Sequence, residues 1–198
     1  MKWLVWGCVL VLCVSAYGGA SVEQAPDTVL DRAFVPSAEK RHGEVRLVRR
    51  GSGLVVQTLL YSKLLKRVVG RIDEKERRHW PPESDGYQDS RAYVETIVEA
   101  QREIAEASRN HAKESDRRQA MLIEFVCQPT SARVAVYQPQ VQEADDGLTI
   151  TDKRLLATLA PSRQYVFENM KLIVADSLGL PEPEINALFD GLGGPDHN

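Results

Sequence analysis

Between positions 54 and 72 apolar residues recur at every fourth position: Val56, Leu60, Leu64, Val68 and Ile72. An α-helix turns once in 3.6 residues, so a spacing of four carries the stripe forward by about 40° per step and about 160° over this span. A straight helix with that pattern would bury opposite sides at its two ends. The segment must therefore change conformation along its length. Residues 54–60 read as a strand, paired as a hairpin with residues 44–50 across Gly51-Ser52-Gly53, a turn that tolerates positive φ. A helix then begins near Ser62, which is suited to cap it. It places Leu64, Leu65, Val68, Val69 and Ile72 on one narrow face and ends in the charged run before Trp80.

The remaining pattern follows the same logic. Residues 81–86 (PPESDG) form a loop. Asp89 or Ser90 can cap a second helix running to about Ala112, with Tyr93, Ile97, Ala100, Ile104 and Ala107 as its buried face. Strands are expected over 118–128 and 132–138, joined by residues 129–131. Asp145-Asp146-Gly147 turns the chain into a third strand over 148–160, interrupted near Asp152. Pro161-Ser162 opens a helix that Gly179 closes, and a short helix follows over 182–189. The expected fold class is α+β: an antiparallel sheet of four or five strands, built from a hairpin and a meander, with three or four helices packed on one face. One domain over 41–190 accommodates it, preceded by a flexible lead-in over 21–40 and followed by a disordered tail over 191–198.

Residues 1–20 have a different character. Lys2 precedes an almost wholly apolar run from Trp3 to Tyr17, and small residues fill positions 18–20. This is the layout of a secretory signal peptide cut after Ala20. The run of about 15 residues is short against the roughly 20 that a spanning helix needs. The expectation is a periplasmic or extracellular protein beginning at Ser21, with no transmembrane span after cleavage. Two of the three cysteines lie in that leader, so only Cys127 remains and no internal disulfide can form. Cys127 alternates in phase with Met121, Ile123 and Phe125, which marks it as a core residue.

No local motif carries chemistry. His42, His79, His111 and His197 stand in no ligand pattern, and there is no nucleophile elbow or phosphate-cradling loop. The Asp145-Asp146-Gly147 segment lacks the ligand ladder of a calcium loop. Neither cofactor nor metal is expected, and no catalytic residue can be named. The acids Glu95, Glu99, Glu103 and Glu106 read as a solvated helix face, and Trp80 as a residue packed over a helix end.

Charge is the one feature above background. Residues 40–80 hold twelve Lys or Arg against four acids, whereas the rest of the mature chain is acidic. Arg46, Arg49, Arg50, Lys63, Lys66, Arg67 and Arg71 are the candidate surface for an anionic partner: anionic lipid, acidic polysaccharide or acidic protein. Nucleic acid is not expected outside the cytoplasm. The expected role is a non-enzymatic binding module. The alternatives are an enzyme whose site is assembled from scattered residues and a structural subunit of a cell-envelope assembly.

Overall fold

The computed structural model describes residues 27–34, 43–61, 65–109, 119–144 and 147–192. The leader, most of the lead-in, the Ser62 cap, Lys63, the Asp145-Asp146 turn residues and the end of the tail lie outside them. The elements run β1 (Thr28–Phe34), β2 (Gly43–Arg50), β3 (Gly53–Tyr61), α1 (Leu65–His79), α2 (Tyr87–Arg109), β4 (Ala120–Gln128), β5 (Ser131–Ala144), β6 (Gly147–Leu159), α3 (Arg163–Leu178) and α4 (Glu182–Asp190). The strands form one antiparallel sheet in the order β1-β2-β3-β4-β5-β6. The fold is α+β, with six strands where the sequence pattern indicates four or five. The additional strand is β1, drawn from the stretch expected to be a lead-in. Its pairing with β2 shifts register between Val29 and Asp31, and that irregularity breaks the alternation by which a strand is recognised.

The hairpin β2–β3 pairs as expected, from Arg50↔Gly53 to Gly43↔Leu60, with Gly51 at φ +61° in the turn. Strand β3 then pairs with β4, so α1 and α2 form an excursion between two neighbouring strands. The core lies on the helix-covered face. Val45 and Leu47 of β2, Leu54 and Val56 of β3, and Met121, Ile123, Phe125 and Cys127 of β4 meet Leu65, Tyr93, Ile97, Tyr165, Met170 and Phe189 from the helices. Cys127 is buried there, and burial raises its thiol pKa.

Some boundaries differ from expectation. Helix α2 starts at Tyr87, ahead of both suggested caps, because helical bonding already begins with Ser90 N–H donating to Gly86. Asp89 instead accepts from the backbone and hydroxyl of Ser162, joining the start of α2 to the N-cap of α3. Ser108, not Ala107, continues the buried face of α2, satisfied by donating to the Ile104 carbonyl. The expected irregularity in β6 is a register shift opposite Gln140 and Val141. Ser162 and Gly179 cap α3 as the sequence suggests, Gly179 at φ +67° with its N–H on the Ala175 carbonyl.

The other sheet face is not a bare polar surface. Val48, Val55 and Val126 form one buried cluster there and Leu59 with Leu122 another. Between them lies Glu124, fully buried. It accepts from Gln57 at 2.9 Å, from Lys153 at 3.0 Å and from Arg50 at 3.3 Å. Burial alone would raise the Glu124 pKa. The hydrogen bonds and charges of Lys153 and Arg50 outweigh it and hold the group below its ordinary value.

Candidate binding face on the first helix

Strand alternation divides the seven cationic candidates. Val45 and Leu47 point toward the helices, so Arg49 shares their face, exposed at the strand end. Arg46 and Arg50 point the other way. Arg46 pairs with Glu44 at 2.5 Å, and Arg50 makes two bonds to Asp27 at 2.6 and 2.8 Å besides its contact with Glu124. These two arginines answer acids across the sheet from α1, of which Glu44 and Glu124 are buried and Asp27 is exposed. They do not join one surface with the helix residues.

Lys66, Arg67 and Arg71 are all exposed on α1: Arg67 and Arg71 lie opposite the buried Leu65 and Val69, and Lys66 lies round toward the side of Asp73 and Arg77. The other cations of this helix are engaged. Lys75 reaches Asp176 at 2.8 Å, Arg77 reaches Asp73 at 2.8 Å, and Arg78 pairs with Glu74. Lys66, Arg67 and Arg71 have no ion pair or side-chain hydrogen bond among the described residues. Two of them stand in the first turn of α1, which holds no acid. Cations there oppose the positive end of the helix dipole, so the fold gains nothing from their position. Gly70 lies between them on the helix surface. A Cβ on it would meet nothing within 4 Å, so packing does not require glycine there.

Beside this ridge, α1 and the start of α2 enclose a cavity of about 450 Å³. Its walls include Trp80, Pro82, Tyr87 and Val94. The Asp73–Arg77 pair stands at one side and the Arg91–Glu95 pair at the other. Trp80 is packed, as its place in the sequence suggests. Its ring lies 5.4 Å from that of Tyr165 and close against Gly86, where a Cβ would come within 2.1 Å of the indole. The indole Nε1 is buried with no hydrogen-bond partner among the described residues.

Under the cavity sits a polar knot that the sequence reading passes over. Glu76 is buried on α1. It accepts from the Tyr165 hydroxyl at 2.8 Å and bonds Ser90 of α2, which also lines the cavity. Burial raises the Glu76 pKa against the lowering effect of those two hydrogen bonds. Burial and the neighbouring Glu76 charge also raise the hydroxyl pKa values of Tyr93 and Tyr165. The signal was available: 68, 72, 76 and 80 continue the four-residue spacing, so an acid occupies a position of the inward stripe. Glu124 had the parallel signal, an acid between Leu122 and Val126 on a strand apolar on both faces.

The acidic row on α2 is a solvated surface, with Glu95, Glu99 and Glu103 paired to Arg91, Arg102 and Arg154. Among the described residues no group of three or more His, Cys, Asp or Glu side chains could hold a metal ion, and no helix is long and apolar enough to cross a membrane. No family model matches this chain, and neither the curated proteins nor the solved structures contain a match to it.

Proposed function

We propose that this is an exported, non-enzymatic binding domain that docks an anionic partner on the exposed side of α1. The observation that carries the reading is the trio Lys66, Arg67 and Arg71: cations of one exposed helix surface, without acidic partners among the described residues, set around a glycine that packing does not need. Charges that serve a fold are paired or placed to favour the helix dipole. Arg46 and Arg50 fit that description, and these three do not. Unpaired cations on one surface raise the local concentration of an anionic partner and speed its encounter.

Retention on an anionic polymer resin, measured from low to physiological salt, tests this directly. The wild type should be retained at low salt and released as exposed charges are screened. The variant Lys66→Gln/Arg67→Gln/Arg71→Gln should lose that retention with no fall in melting temperature. Retention that ignores salt, or a triple variant that melts markedly earlier, would overturn the proposal.

A further inference from the structure

We infer that the α1–α2 cavity is a binding site for a dipeptide, held by its two charged termini. This site is separate from the docking surface proposed on α1, and it follows from the direction in which charge is laid out along the cavity.

Each helix contributes one ion pair to the walls, Asp73–Arg77 on α1 at 2.8 Å and Arg91–Glu95 on α2 at 2.9 Å. The order of charges differs between them: the acid comes first on α1 and the cation first on α2. The chain direction differs too, because residues 80–86 turn α1 back into α2, and Ser90 of α2 bonds Glu76 of α1. The two reversals cancel. Arg77 and Arg91 both stand toward the loop end of the cavity, and Asp73 and Glu95 each stand four residues further from the loop. Four residues of helix rise about 6 Å. The cavity thus has a cationic end and an anionic end about one turn apart, and its charged walls sum to zero.

That layout selects among ligands. A lone anion is repelled by the two acids, and a lone cation by the two arginines. A zwitterion satisfies both ends if its charges are about 6 Å apart. One extended residue spans about 3.3–3.6 Å and three span about 10 Å, whereas two span about 6.6–7.2 Å. The dipeptide carboxylate then lies toward the loop, where Arg77 and Arg91 donate to it, and the ammonium lies between Asp73 and Glu95. Between the charged ends, Trp80, Pro82, Tyr87 and Val94 give an apolar wall for a side chain. The cavity volume, about 450 Å³, is of ligand size. The existing pairs do not block this exchange. Arg77, Arg91 and Glu95 are exposed and Asp73 partly so, and exposed pairs of this spacing add little to stability.

Calorimetric titration of the full chain tests the inference with Ala-Phe and Phe-Ala, which place an aromatic side chain at either position. The controls are the N-acetylated dipeptides, the dipeptide amides and phenylalanine alone. At least one free dipeptide should bind. Removing either terminal charge, or shortening to one residue, should weaken binding by about tenfold or more, the effect of losing one hydrogen-bonded charge. Arg91→Glu/Glu95→Arg keeps an ion pair on α2 and reverses its direction, so each end of the cavity then carries one cation and one acid. That variant should also bind about tenfold more weakly, with no fall in melting temperature. Lys66→Gln/Arg67→Gln/Arg71→Gln should bind the dipeptide as tightly as wild type, since none of the three lines the cavity. The blocked dipeptides need no variant, so the test stands even where a substitution disturbs folding. Failure of both free dipeptides to bind, equal binding of free and blocked forms, equal binding of phenylalanine, or indifference to the charge reversal in a folded variant would each overturn the inference. None of these outcomes bears on the α1 surface, which is tested by salt-dependent retention on the anionic resin.

Discussion

Glu76 and Cys127 show how a single buried group can be tested apart from function. The folded protein holds the Glu76 proton more tightly than the unfolded chain does, because burial raises its pKa. Its contribution is thus fully present below the ordinary carboxylate value of about 4.3 and is lost as the pH climbs from there through the raised folded value. Glu76→Gln keeps an acceptor for the Tyr165 hydroxyl and removes the charge. It should therefore raise the melting temperature at pH 7 relative to wild type and leave it nearly unchanged at pH 4. A variant less stable than wild type at pH 7, and by more than at pH 4, would show that the ionised carboxylate is the favoured form. Cys127 is enclosed by the core, so it should react with thiol reagents only after denaturation. Cys127→Ser, which puts a hydroxyl in that apolar site, should cost about 1–3 kcal/mol in urea unfolding. Rapid labelling of the native protein would contradict the burial.

At the scale of the element, α1 carries the clearest conflict between stability and use. A glycine in an exposed helix interior costs about 1 kcal/mol relative to alanine. Gly70→Ala meets no obstruction, so it should stabilise the protein by about that amount. If a ligand lies close to the helix backbone, the same change should weaken its binding, and the two measurements together separate a helix defect from a contact point. The break between β3 and α1 was legible because a four-residue repeat cannot stay on one side of a helix. The caps of α3 were legible because serine and glycine have few other reasons to stand at those positions. Strand β1 was not, since a register shift erases the alternation that identifies a strand. The grouping of the cations was legible only in part. Linear spacing placed seven together, and the two faces of β2 sent Arg46 and Arg50 to acids across the sheet from α1. The cavity could not be read at all, because it depends on how α1 and α2 cross.

For the molecule as a whole, the sheet is held by its helix-covered core and also by a charged network on the opposite face. Arg50 of β2, Gln57 of β3 and Lys153 of β6 converge on Glu124 of β4, so strands distant in sequence share one buried carboxylate. Asp27 extends this network through Arg50, whose hydrogen bond lowers the aspartate's pKa. Both acids have folded-state values below their unfolded ones. Their contribution is complete above about pH 4.3 and is lost as the pH falls through the lowered folded values. This is the opposite sign to Glu76, so titration of these two acids destabilises the fold toward low pH while titration of Glu76 destabilises it above pH 4.3. Glu124→Gln should destabilise the protein at pH 7 by about 3 kcal/mol, since it leaves Lys153 and Arg50 facing a neutral group in a largely buried site. As the pH falls through the lowered folded value the wild-type carboxylate is itself protonated, so the two proteins should converge in stability there. Urea titrations at pH 7 and at pH 2.5 provide the measurement. A difference that stays constant between the two would mean that Glu124 matters for its shape and hydrogen bonds alone, and that its charge does not join the strands.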